Sequence, residues 1–88
     1  MEPESRPRLV TKAMLKHDKV RDADLLLLPE RVVELNASGS AILRLCDGDR
    51  TVREIVEVLE EQFGATGLTD DVLAFLRDAR DQGWVVVA

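Results

Sequence analysis

The chain has one cysteine, one histidine and no tyrosine among its 88 residues. With Cys46 alone, an intramolecular disulfide is excluded, and so is a cysteine-rich zinc site. With His17 alone, most metal and triad arrangements drop out. Long apolar runs are missing too. The stretch from Leu25 to Pro29 is far too short to cross a bilayer, and Met1-Glu-Pro-Glu-Ser5 is acidic where a signal peptide is basic. The expectation is a cytoplasmic protein with no membrane partner. Basic charge is also scarce: Lys and Arg number 12 against 17 Asp and Glu, a formal net charge of -5. A duplex nucleic-acid binder needs a basic face, so the balance weighs against that partner.

What remains is the composition of one small folded domain, with 45% hydrophobic and 33% charged residues. Met1 to Arg8 reads as a mobile tail with nothing to bury, and residues 9–88 as a single domain. Asp24 to Leu28 reads as a buried strand closed by Pro29-Glu30, because five residues are too few for a stable helix and proline cannot donate in a ladder. Arg31 to Leu35 follows as its hairpin partner, with Val33 and Leu35 on one face and Val32 and Glu34 on the other. A further strand within residues 14–20 makes a three-stranded meander.

From Asn36 the period changes to helical. Asn36 caps a helix running to about Cys46, with apolar positions at Ala37, Ala41, Ile42, Leu45 and Cys46. Thr51 and Glu54 form a capping box for a second helix that Gly64 stops. A third helix runs from a Thr69 or Asp70 cap to Gln82, with Val72, Leu73, Leu76 and Ala79 inward. Trp84 to Val87 has strand character and requires a cover. The expected architecture is α+β: a winged-helix-like domain, an N-terminal three-stranded antiparallel sheet followed by a three-helix bundle.

Catalytic chemistry is thin. Ser38 and Ser40 flank Gly39 without the serine-elbow pattern. Cys46 lies on an apolar stripe, as a core thiol does. His17-Asp18 reads as a local surface pair, and Asp70-Asp71 as helix-end charge. The glycines make no phosphate loop. Two binding readings follow. As a helix-turn-helix, the third helix would carry Asp70, Asp71, Asp78 and Asp81 toward phosphates, an unfavourable balance. As a peptide binder, the strand Arg31 to Leu35 offers an edge to an extended peptide. Leu73, Leu76 or Phe75 would then receive apolar side chains, and Arg77 and Arg80 acidic ones. The plainer reading of these residues is core for the leucines and solvated surface for the arginines.

Several segments resemble the PqqD family of pyrroloquinoline quinone biosynthesis: Leu27-Leu-Pro-Glu-Arg-Val-Val-Glu-Leu-Asn36, Ala41-Ile-Leu-Arg-Leu-Cys-Asp-Gly48, Thr51-Val52-Arg53-Glu54-Ile55 and Asp71-Val72-Leu73-Ala74-Phe75-Leu76. The resemblance spans roughly Arg8 to Val86. It departs where a leucine of Asp24 to Pro29 stands in place of a tryptophan common in the family. It implies a non-enzymatic peptide chaperone, a recognition element for ribosomally made, modified peptides. Such a chaperone binds the precursor PqqA as an added strand and presents it to the radical-SAM enzyme PqqE. The implied binding residues are Val32, Val33, Glu34 and Leu35 on the strand, with Leu73, Leu76, Arg77 and Arg80 across a groove. The iron–sulfur clusters and S-adenosylmethionine belong to the enzyme, so no cofactor is implied for this chain. A homodimer formed through the strand edge or the Trp84 to Val87 tail is also in view. Two alternatives stay open: recognition of another modified peptide, and a winged-helix DNA-binding regulator.

Overall fold

In the computed structural model, which describes residues 1–87, the leucine run is the centre of a meander. Strand β2 (Met14–Asp18) pairs antiparallel with β3 (Ala23–Leu27), and β3 pairs antiparallel with β4 (Val32–Leu35), in the order β2-β3-β4. Leu26 of β3 points into the core and is fully buried. The turn after β2 is held by Asp18, whose Oδ1 accepts from the Val20 and Arg21 amides. Asp18 is therefore engaged away from His17. The histidine instead meets Asp24 directly across the β2–β3 pair, with Nδ1 2.8 Å from Oδ1.

The helices follow their caps. Helix α1 (Ala37–Arg44) starts at Asn36, whose side chain accepts from the Gly39 amide. It ends short of Cys46. Leu45 and Cys46 donate to the carbonyls of Ile42 and Leu43 three residues back, so the last turn tightens before the cysteine. Helix α2 (Val52–Phe63) carries both bonds of the Thr51–Glu54 capping box and stops at Gly64, with φ of 61°. Helix α3 (Thr69–Asp81) departs from expectation at its start. Neither Thr69 nor Asp70 is the cap; Leu68 holds that position without a side-chain bond, and its amide donates to Glu60 Oε2 of α2 at 3.1 Å.

Two corrections concern the ends of the chain. There is a second, two-stranded sheet, in which β1 (Pro7–Leu9) pairs with β5 (Val85–Val87). Pro7 is fully buried, and the Val52 and Arg53 amides at the start of α2 donate to the Ser5 and Pro3 carbonyls. The opening residues thus satisfy helix-end donors that would otherwise lack partners, and the tail expected over residues 1–8 is stitched to the domain from Met1 onward. The C-terminal strand is covered by the chain's own N-terminus. The single three-stranded N-terminal sheet is therefore incomplete as an expectation. The winged-helix likeness also stops here: among the described residues a lone strand paired to β1 follows α3, not a hairpin.

The core lies between the meander and the helices. Leu26, Leu43, Val52, Ile55, Leu76 and Val85 anchor it, with Leu15, Val33, Leu35, Phe75 and Trp84 packed around them. Cys46 is buried, and loss of solvation together with nearby Asp47 pushes its thiol up to about 12, which removes it as a nucleophile at neutral pH.

Asp24 ties sheet to helix. Its Oδ2 accepts from Ser40 Oγ at 2.7 Å, and its Oδ1 accepts from Arg44 Nη2 at 3.0 Å. The Ser40 bond, then the His17 bond, then the Arg44 charge hold its carboxyl below the usual carboxylate range. A lowered folded-state pKa adds stability that is complete above the ordinary carboxylate range and is lost as pH falls through the lowered value. Asp24→Asn is expected to flatten part of the acid limb of a stability-against-pH curve measured by urea unfolding. An unchanged limb would show that Asp24 contributes nothing to acid sensitivity.

Candidate functional site

Strand β4 is an edge of the meander, and its hydrogen-bond phase can be read from the adjoining turn. Leu28 and Arg31 exchange amide–carbonyl bonds, with Leu28 N donating to Arg31 O at 2.9 Å and Arg31 N to Leu28 O at 3.4 Å. In an antiparallel pair, hydrogen-bonded and non-bonded positions alternate. With Leu27 opposite Val32 and Leu26 opposite Val33, Val33 and Leu35 bond inward to β3. The backbone N–H and C=O of Val32 and Glu34 point outward, at the free edge. Their side chains lie on the outer sheet face: Val32 and Glu34 are exposed, whereas Val33 and Leu35 are half-buried toward the core.

Helix α3 is tied to the turn before this edge at one point and to α1 at another. At one end, Arg31 Nη2 donates to Gln82 Oε1 at 3.2 Å. At the other, Gly39 of α1 abuts the Phe75 ring. A Cβ on residue 39 would stand 3.0 Å from Phe75 Cε1, so glycine permits the approach. Phe75 and Gln82 are seven residues apart and share one helix face. That face, then, is the one that meets Arg31, at the foot of β4, and Gly39 of α1. Past the end of β4, Phe75 also lines an apolar hollow of about 390 Å³ with Ser38, Ile42, Phe63 and Leu68.

The sequence-derived groove residues on α3 fall elsewhere. At about 100° per residue, Leu73 and Arg77 lie about 160° from Phe75, and Arg80 about 140°. Arg77 Nη2 donates to the Met1 carbonyl at 3.2 Å, on the side of the N-terminal segment. Leu73 is 7% exposed and Leu76 fully buried, so both are core. The structure thus gathers Val32, Val33, Glu34 and Leu35 at one edge, and places Leu73, Arg77 and Arg80 away from the α3 face that meets Arg31 and Gly39. Gln82 was absent from the expected set, Arg31 entered it only as the first residue of the strand edge, and Phe75 only as an alternative to the leucines. Two signals for them were present: the seven-residue spacing of Phe75 and Gln82, and a glycine inside α1 where a helix former would be cheaper.

Among the described residues no group of three His, Cys, Asp or Glu side chains is placed to hold a metal ion, and no helix is long and apolar enough to cross a membrane. The site can pair backbone with an extended chain and line one flank with an aromatic ring and an amide.

The chain is similar to known proteins over most of its length. The family model "Coenzyme PQQ synthesis protein D (PqqD)" matches residues 25–85. The chain is 32% identical to the PqqA binding protein of Methylococcus capsulatus, covering 97% of this chain and 91% of that one. It is 40% identical to the PqqA binding protein of Pseudomonas aeruginosa, covering 93% and 90%. Among solved structures, it superposes on the PqqD truncation of Methylobacterium extorquens PqqCD, a stand-alone recognition element for ribosomally made peptides. The TM-score is 0.77 and the identity 31%, over 98% of this chain and 99% of that one. PqqD from Xanthomonas campestris matches with a TM-score of 0.56 and 30% identity over 93% of each chain. A family model covering more than half of the chain, near-full-length relatives and a shared fold lead to one assignment: the chain belongs to the PqqD family.

Proposed function

We propose that this chain is a peptide chaperone that binds the precursor PqqA as an added strand on β4 and presents it to the radical-SAM enzyme PqqE in pyrroloquinoline quinone biosynthesis. The observation that carries the reading is the free β4 edge, with the Val32 and Glu34 backbone groups outward and α3 reaching its foot through the Arg31–Gln82 bond. Full-length relatives that bear the name PqqA binding protein supply the peptide's identity. Backbone pairing captures the peptide in extended form, and alternate peptide side chains reach the α3 flank. Phe75 and Gln82 take the role first given to Leu73, Leu76, Arg77 and Arg80. The four latter residues hold α3 in place or stay in solvent. The hollow at Phe63 and Phe75 accepts an apolar side chain beyond the paired stretch. Holding peptide and enzyme together raises their effective concentration, so no residue of this chain needs to do chemistry. Both proteins of that encounter are cytoplasmic in this reading.

Calorimetric titration with synthetic PqqA, with and without PqqE, tests the proposal. Saturable binding at one peptide per protomer in both conditions is expected. Heat only when enzyme is present would make the chain a subunit of the enzyme. No heat in either condition would remove the chaperone role.

A further inference from the structure

A strand added to a sheet sends alternate side chains to its two faces. One set shares the face of Val33 and Leu35. The other lands on the outer face of the meander, beside Val32 and Glu34. The strand register divides that outer face into rows: Met14, Leu27 and Val32 form one, and Lys16, Leu25 and Glu34 the next. Each row ends at β4, where an added strand supplies its fourth member. The first row is apolar throughout, and its end members Met14 and Val32 are 62% and 59% exposed. The second has leucine at its centre and opposite charges at its ends, with Glu34 at the free edge.

Glu34 is exposed and in no ion pair among the described residues. The other carboxylates of the sheet are engaged: Asp24 by Ser40 and Arg44, and Asp18 by the amides of its turn. Lys16 stands two strands away across Leu25, about 10 Å at the usual strand spacing. Arg31 shares the parity of Val33, not of Glu34, and its guanidinium goes to Gln82. The edge thus presents one unpaired negative charge beside its outward backbone groups. In an antiparallel pair, residues that exchange both backbone bonds stand about 5.5 Å apart at Cα, with side chains on the same face. Opposite charges in such a pair attract, and apolar side chains pack. Val32 and Glu34 are such positions for an incoming strand, since their backbone groups point outward. Resting on the strand-addition reading, we propose that the Glu34 side chain sets the peptide's register by pairing with a lysine or arginine of the peptide, while Val32 receives an apolar side chain two residues further on. An antiparallel strand runs from Glu34 toward Val32. The recognised pattern is therefore a cation, any residue, then an apolar residue, with the middle side chain on the opposite face. A slip of one residue turns both side chains to the wrong face. A slip of two sets the cation against Val32 or the apolar residue against Glu34. The sign reverses the one expected from Arg77 and Arg80: where the peptide pairs with β4, it is basic.

Titration of charge variants of the intact chain with synthetic PqqA tests the proposal. Glu34→Gln is expected to weaken binding about two- to fivefold and Glu34→Lys about tenfold, as a cross-strand charge pair is lost and then reversed. The side chain is exposed, and circular dichroism confirms that each variant is folded. Lys16→Gln, at the far end of the same row, also changes the net charge by one and should alter affinity less than about twofold, because solvent and salt screen it. The peptide partner is found by reversing each lysine and arginine of PqqA to glutamate in turn. One reversal should weaken binding to wild type and regain affinity for Glu34→Lys. Alanine two residues toward the C-terminus of that position should weaken binding to wild type as well. If wild type binds PqqA and both Glu34 variants bind equally well, the proposal falls while strand addition stands, and Glu34 only guards the edge against stray strands. Equal and opposite effects of Glu34→Gln and Lys16→Gln overturn it too, since long-range attraction then explains both. So does a scan in which no reversal rescues Glu34→Lys, and so does an apolar partner on the N-terminal side. Wild-type protein that binds no PqqA removes the chaperone reading itself, and this inference with it.

Discussion

Replacing Leu76 by alanine is expected to cost about 3 kcal/mol of folding stability, within the range for buried leucines. Its side chain is fully enclosed, on a helix that packs against both α2 and β5. Truncation removes apolar contact and leaves a cavity between elements whose positions are fixed by other residues. A small domain has a total stability of about 5–15 kcal/mol, so the loss is a large fraction of it. At about 4–8 °C per kcal/mol for a chain of this size, the midpoint of thermal unfolding should fall by roughly 12–24 °C. Arg80→Ala, on the exposed surface of the same helix, should stay within about 0.5 kcal/mol. The pair separates core from site. If Leu76 lined the peptide groove, its truncation would lower affinity in protein that remains folded. Here it lowers stability, and the folded fraction at low temperature keeps its peptide affinity.

The second large effect concerns the β4 edge. Proline at residue 34 removes an amide that points away from β3, a position where edge strands tolerate proline. Glu34→Pro is therefore expected to leave the fold intact while weakening peptide binding at least tenfold, because backbone pairing loses a donor and the ring obstructs the approaching strand. Val33→Pro removes an amide that bonds inward to β3 and should unfold the meander. Circular dichroism and titration with PqqA read the two outcomes separately. Equal tolerance of both prolines would contradict the hydrogen-bond phase assigned to β4. Wild-type affinity in a folded Glu34→Pro variant would contradict strand addition at this edge.

The meander was legible because its signals are local. Four leucines ending at Pro29 fix a strand and its turn, and the alternation of Val32 to Leu35 fixes the faces. Asn36 and the Thr51–Glu54 box fix two helix starts for the same reason. The second sheet was not legible. Pro7–Leu9 pairs with Val85–Val87 across nearly the whole chain, and three-residue strands carry little pattern of their own. The buried Pro7 looks like tail when read beside Glu2, Glu4 and Arg6. The start of α3 was missed because its restraint comes from Glu60, eight residues earlier, and not from a cap. The strand half of the site followed from motif and alternation. The helix half depends on which side of α3 meets the foot of β4, and periodicity identifies the apolar stripe of a helix without saying which neighbour lies against its margins. Arg77 and Arg80 suited an acidic peptide by charge, but the rotation of α3 places them near the opposite side.

The pairing of an extended peptide with β4 is tested most directly by amide exchange, residue by residue, in isotope-labelled protein with and without PqqA. The account predicts that the Val32 and Glu34 amides, open to solvent in the free protein, slow markedly when peptide binds. The Val33 and Leu35 amides, already bonded to β3, should change little, as should those along the far edge at β2. Saturable peptide binding that leaves Val32 and Glu34 exchanging at their free rates would contradict it.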